Sequence, residues 1–277
     1  MNTHYLEQQG GRIAYDDCGS GRLVVCAPSM GDLRGEYRFL VPKLVAAGYR
    51  VVTIDVRGHG ETSVQWPDYS VGAIGSDLIA LIRSLDAGPA FIIGTSMAAG
   101  AAVWAAAEAP DLVAGLVLVG PFVRGEGDWQ SRLLFSTLFA RPWGPSLWLK
   151  YYSTLYPTQK PADFDQYCGK LRANLAEPGR IEALLRMILA SKAASEERLP
   201  RVAAPVLVIM GSKDPDFKGP VFKDPESEAR WVAKNLNGTA KMVNDAGHYP
   251  HAEMPEITGP AIVEFLQEIK DRIPHAT

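Results

Sequence analysis

Cysteine is scarce. The chain has three in 277 residues (Cys18, Cys26 and Cys168) and no CxxC pair, which excludes a disulfide framework and a zinc ribbon and fits a reducing, cytoplasmic compartment. Excess positive charge is also missing. The formal net charge is -3, with no Lys/Arg cluster to neutralise phosphates, so no nucleic-acid partner is expected. Met1 to Glu7 hold neither a basic stretch nor the start of an apolar run, and no signal peptide is expected. One charge-free run, Ala87 to Ala107, has the length of a membrane span. Gly88-Pro89 and Gly94-Thr95-Ser96 interrupt it, and alanine dominates the remainder, so a buried strand, a turn and a buried helix explain it better. The five histidines (His4, His59, His248, His251, His275) form no HExxH, and no phosphate-binding glycine loop is present; neither a metal nor a cofactor is expected.

What is there is ordinary globular usage, 47% apolar and 21% charged, sized for one large domain or one domain with an insertion. Two kinds of segment alternate. Short apolar runs end in turn signals: Leu23–Cys26, Val51–Ile54, Ala90–Ile93, Leu116–Val119 and Val206–Met210. Continuous apolar runs without alternation suit a sheet covered on both faces. Between them lie helical spacings: Ser70 is placed to cap a helix that puts Ile74, Leu78, Leu81, Ile82 and Leu85 on one face, Met97–Ala107 is alanine-rich, and Ile262, Phe265, Leu266 and Ile269 mark a last helix. Strands alternating with helices predict an α/β fold with a parallel sheet. Arg12–Tyr15 alternates and is expected as an exposed antiparallel edge strand. From about 121 to 200 the rhythm stops. Four helix-like stretches, divided by Pro and Gly and rich in aromatics such as Phe122, Trp129, Phe135, Phe139, Trp148 and Tyr151, predict a helical insertion.

Parallel sheets bind ligands beyond the carboxyl ends of their strands, so the turns there are where chemistry is expected. Phe91-Ile92-Ile93 runs into Gly94-Thr95-Ser96-Met97-Ala98, a G-x-S-x-A turn that sets a hydroxyl above the sheet at a helix N-terminus; helix capping is the alternative role for Ser96. Gly211-Ser212-Lys213-Asp214 offers a carboxylate that could orient an imidazole, or a simple turn acid, and Gly247-His248 offers the imidazole. Ala27-Pro28-Ser29-Met30-Gly31 follows the first parallel strand and could supply an oxyanion N–H. Pro28 has none to give, leaving Ser29 first and Met30 second. The order Ser96, Asp214, His248, each past a separate strand, matches a serine–acid–histidine set on such a sheet.

With these residues in hand, the sequence resembles the α/β-hydrolase family over essentially its whole length. Asp55-x-Arg57-Gly58-x-Gly60-x-Thr62, Gly211-x-x-Asp214 and Gly247-His248-x-x-x-x-Glu253-x-Pro255 are similar to the loops after that family's fourth strand, around its acid and around its histidine. Ala27-Pro28 stands where the family usually has His-Gly, and Ala98 where it usually has glycine. The resemblance implies a mostly parallel eight-stranded-type sheet with helices on both faces, a core of residues 1–120 and 201–277, and a helical cap at 121–200. It implies Ser96, Asp214 and His248 as a catalytic triad, the N–H groups of Met97 and Ser29 as an oxyanion hole, no cofactor, and a small, fairly apolar ester as substrate. A carbon–carbon bond hydrolase or a perhydrolase would use the same residues, and a ligand sensor would keep the fold with slow or no turnover. His251 competes with His248 as base and Asp216 with Asp214 as acid; His59 and Asp245 are expected in structural roles.

Overall fold

The computed structural model describes residues 3–8, 10–125, 137, 143–219 and 222–272. Trp129, Phe135 and Phe139 of the expected insertion, and His275, lie outside the described residues. The elements run β1 (Thr3–Gln8), β2 (Gly11–Gly19), β3 (Arg22–Ala27), α1 (Val41–Ala46), β4 (Tyr49–Ile54), α2 (Val71–Leu85), β5 (Ala90–Thr95), α3 (Met97–Glu108) and β6 (Val113–Val119). After β6 come α4 (Gly144–Thr154), α5 (Phe164–Ala176), α6 (Arg180–Ile188) and α7 (Ala193–Glu196). The α/β alternation then resumes with β7 (Val206–Gly211), α8 (Pro225–Asn235), β8 (Thr239–Val243), α9 (Pro250–Glu253) and α10 (Pro255–Arg272).

One eight-stranded sheet has the order β1-β2-β4-β3-β5-β6-β7-β8. All neighbours from β4 to β8 are parallel; β1 and β2 pair antiparallel, as do β2 and β4. The exposed edge is therefore β1 and not Arg12–Tyr15, which sits one strand further in. β1 announces itself poorly in sequence because its residues alternate only between exposed and half-buried and carry no apolar run.

The unbroken apolar runs have their cause in the layers. Val25, Ile92, Leu118 and Val208 pack with residues of α2, α3 and α8, while Val24, Ile93, Val117 and Ile209 pack with residues of α1 and α10. Each strand alternates between two buried faces, so both sets must be apolar. The Ser70 hydroxyl caps α2 by accepting the Ala73 N–H at 3.2 Å, and α3 is alanine-rich because it lies close against β5 and β6. These connections leave the carboxyl ends of β3, β5, β6 and β7 side by side.

Candidate active site

Ser96 occupies the junction of β5 and α3 at φ 57°, ψ -120°, a conformation a non-glycine residue rarely holds. The turn is fixed from both sides: Ser96 N–H donates to Val119 O at 2.8 Å, and Phe122 N–H donates to Ser96 O at 3.1 Å. A Cβ on Gly94 would stand 2.6 Å from the Ala98 carbonyl oxygen, so the strand and helix approach only because residue 94 has no side chain. Ala98 itself is fully buried, and its methyl is accommodated. The Ser96 hydroxyl makes no capping bond to α3, which removes the capping alternative. Met97 N–H, at the first turn of α3, has no acceptor among the described residues.

Asp214 and His248 meet. The imidazole Nδ1 lies 2.7 Å from Asp214 Oδ2, and both side chains are buried. Asp214 is held at the end of β7 by accepting the Asp216 N–H at 3.0 Å. The histidine loop is held by His248 N–H to Leu155 O at 3.0 Å and by Gly247 N–H to Glu253 Oε2 at 2.6 Å. The ring lies against Gly120: a Cβ there would be 3.0 Å from its Cε1 and Nδ1. Gly120 directly follows Val119, the partner of Ser96, so imidazole and hydroxyl stand over adjacent strand ends. They are not hydrogen-bonded to each other, a common state for such pairs without substrate. Burial alone would pull the imidazolium pKa down, but the Asp214 charge and hydrogen bond, with Asp216 and Glu36 behind them, push it up to about 9.

In the turn after β3, the amide and hydroxyl of Ser29 are both engaged. Its N–H already donates to Glu36 Oε2 at 2.8 Å, and its hydroxyl pairs with Tyr249 Oη at 2.6 Å. Gly31 N–H donates to His59 Nε2 at 3.0 Å, and Asp32 N–H donates to Ser29 O at 3.3 Å. Met30 N–H alone in this stretch has no acceptor among the described residues. The second candidate, Met30, thus has a free donor where Ser29 has none.

The competing residues go elsewhere. His251 packs its ring on Tyr37 with centroids 5.1 Å apart and brings Nε2 to 3.0 Å from Glu36 Oε1. His59 is held as a neutral ring, Nδ1 to Arg57 O at 2.9 Å and Nε2 to the Gly31 N–H, and burial lowers its pKa to about 4. Asp245 sits at φ 64° in an exposed turn and pairs with Lys213. Asp216 is not the direct partner of His248: its Oδ2 is 3.9 Å from Nδ1, and the Tyr151 hydroxyl donates to its carboxylate. Ligand atoms of Asp214, Asp216 and His248 lie within 4.8 Å of one another, the one grouping among the described residues compact enough for a metal ion, but hydrogen bonds already engage them.

Sequence patterns did not reveal the buried acids behind the turn. Asp32 accepts from the hydroxyls of Tyr152 and Tyr167, and burial, reinforced by Glu36, raises its pKa to about 7. Two acids four residues apart beside a predicted oxyanion turn were the available signal. Around the imidazole, Phe122 stacks on Phe217 at 4.7 Å, and Phe217 lies 6.2 Å from the His248 ring, giving the site an aromatic side.

A fold of this order with a strained serine at the β5–α3 turn and a buried aspartate–histidine pair defines a hydrolase-type scaffold. The chain belongs to the α/β-hydrolase family: the sequence profile described as "Alpha/beta hydrolase family" matches residues 24–258. A Mycobacterium tuberculosis protein with the provisional name non-heme bromoperoxidase BpoC is 32% identical over 93% of this chain and 98% of its own length. Among solved structures, a bromoperoxidase from Bacillus anthracis superposes with a TM-score of 0.82 at 20% identity, over 96% of this chain and 100% of that one. A thermophilic esterase from Thermogutta terrifontis reaches 0.80 at 22% identity, over 97% and 99%. Among the described residues no helix is long and apolar enough to cross a membrane.

Proposed function

We propose that the protein is a serine hydrolase of small to medium, fairly apolar carboxylic esters, acting through Ser96, His248 and Asp214. The observation that carries this is the buried 2.7 Å contact between Asp214 and His248 set against Gly120, one strand end from the strained Ser96. Ser96 Oγ attacks the ester carbonyl carbon while His248 Nε2 takes its proton. Asp214 accepts the Nδ1–H and stabilises the imidazolium that forms. The N–H groups of Met97 and Met30 bind the tetrahedral oxyanion, replacing the Met97–Ser29 pair expected from sequence. The imidazolium then protonates the departing alkoxide, leaving an acyl-enzyme; water, deprotonated by the same imidazole, releases the acid and restores the serine.

Residues 121–200 serve in this scheme as the cap over a core of 1–120 and 201–277. Two contacts support it: Trp148 Nε1–H donates to Gly31 O at 3.1 Å, and Tyr151 donates to Asp216, so α4 touches the loops on both sides of the site. Phe122 and Phe217 beside the imidazole support an apolar acyl or aryl group. The three free cysteines support action in the cytoplasm.

Ser96→Ala lowers kcat on p-nitrophenyl esters by about 10⁴–10⁶ if this is the nucleophile, and it abolishes labelling by a fluorophosphonate. Wild-type turnover in purified Ser96→Ala overturns the assignment, and folded wild-type protein that neither turns over esters nor takes the label favours a binding role.

A further inference from the structure

His248 has two carboxylates on its Nδ1 side, and only one of them belongs to the triad proposed above. Asp214 makes the hydrogen bond. Asp216 Oδ2 stands 3.9 Å from the same nitrogen, beyond hydrogen-bonding reach but well within the range of its charge. The Asp216 carboxylate is not free to turn away, because the Tyr151 hydroxyl lies 2.6 Å from Oδ1 and 2.7 Å from Oδ2. A phenol has one proton to give, so it is shared across both oxygens and fixes the plane of the carboxylate. Burial, and after it the facing Asp216 charge, push the Tyr151 pKa well up, which keeps it a donor. Tyr151 belongs to α4, and its neighbour Trp148 anchors the same helix to the turn after β3.

We infer that Asp216 is a positioning residue for His248, a second negative charge behind the imidazolium, and that Tyr151 couples that charge to the seating of α4. With α4 seated, the clamp aims the carboxylate at the base. Of the other groups facing the imidazole, Asp214 sits on the β7 loop and Glu36 behind the turn after β3; the Tyr249 ring at 5.2 Å has its hydroxyl bound to Ser29 and also packs on Tyr152 of α4, and His248 N–H is bound to Leu155 O at the end of that helix. Phe122 and Phe217 on the remaining sides carry no charge. Burial and the neighbouring Asp214 charge raise the pKa of Asp216 itself, while the His248 charge and the Tyr151 bond oppose that rise.

The kinetic arm of the test rests on the proposed hydrolase function; the spectroscopic arm does not. NMR of the imidazole ring gives the His248 titration midpoint directly, in wild type, Asp216→Asn and Tyr151→Phe. The midpoint falls by about one pH unit in Asp216→Asn and by less in Tyr151→Phe. The rising limb of kcat/KM against pH on p-nitrophenyl butyrate moves the same way. A role confined to packing lowers rate or stability at every pH and leaves the midpoint where it was. An unmoved midpoint in folded Asp216→Asn overturns the inference, and an unmoved midpoint in Tyr151→Phe overturns the coupling to α4. Should Asp216→Asn not fold, the Tyr151→Phe midpoint decides alone. Failure of the hydrolase function shows separately, as absence of fluorophosphonate labelling in a wild type whose imidazole still titrates.

Discussion

Glu36 Oε2 accepts the Ser29 N–H at 2.8 Å, and in the proposed hydrolase this bond selects which amide of the turn after β3 remains for an oxyanion. Glu36 is buried, with His251 beside it. His59 takes the next N–H but one, that of Gly31. Between two occupied donors, Met30 is left free.

If the proposed oxyanion role holds, removing the Met30 N–H weakens catalysis, whereas changing its side chain does not. Met30→Pro is expected to lower kcat by about 10²–10³, the cost typical of one lost oxyanion donor. Met30→Ala, which keeps the amide, stays within a few-fold of wild type. Circular dichroism establishes that both are folded, and equal kcat in the two variants removes Met30 from the oxyanion hole.

The rate should rise into the alkaline range. A protonated imidazole cannot accept the serine proton, and the negative surroundings of His248 hold its pKa near 9. Below that value kcat/KM falls about tenfold per pH unit, towards a plateau above it. Asp214→Asn removes the charge and turns an amide N–H donor, in place of Oδ2, towards Nδ1, favouring the wrong tautomer, with a loss in kcat of about 10⁴. A pH profile already flat from about pH 6 contradicts a base in this environment.

The sheet is legible in the sequence because its signals are local, and the turns proposed to carry the chemistry are marked by local signals too. Apolar runs name the covered strands, and Gly94, Gly211 and Gly247 stand beside the residues those strands deliver to the sheet edge. The outer strand β1 is hidden because an edge needs no apolar run. The occupation of Ser29 is hidden for a different reason. It depends on Glu36, His251 and Tyr249, and the last of these is 220 positions away from Ser29. Chain order carries no information on which of several amides another loop will claim; only the packed fold makes that choice.

Gly120 supports a further test. It holds φ 50°, and a Cβ there would lie 3.0 Å from the His248 ring. Gly120→Ala then costs about 1–2 kcal/mol for the left-handed backbone, and the methyl pushes the imidazole off the β6 end. Urea unfolding and ester kinetics together check this: stability falls moderately, and kcat falls further than KM changes. A variant with undiminished kcat shows that the imidazole does not need this seat.

His59 makes the fold sensitive to acid. Its pKa is lowered by burial to about 4, against 6.5 for the free side chain. The unfolded chain therefore binds a proton that the folded chain refuses, and the stabilisation present above pH 6.5 is lost as pH falls through the window down to about 4. At about pH 4.5 the loss amounts to roughly 2–3 kcal/mol. Protonation also deprives Nε2 of the lone pair that receives the Gly31 N–H, which loosens the turn carrying Met30. His59→Gln keeps an acceptor but has no proton to gain. Its unfolding free energy, measured in urea at about pH 7 and about pH 4.5, should drop less between the two than that of wild type. Equal drops place the acid sensitivity elsewhere in the protein.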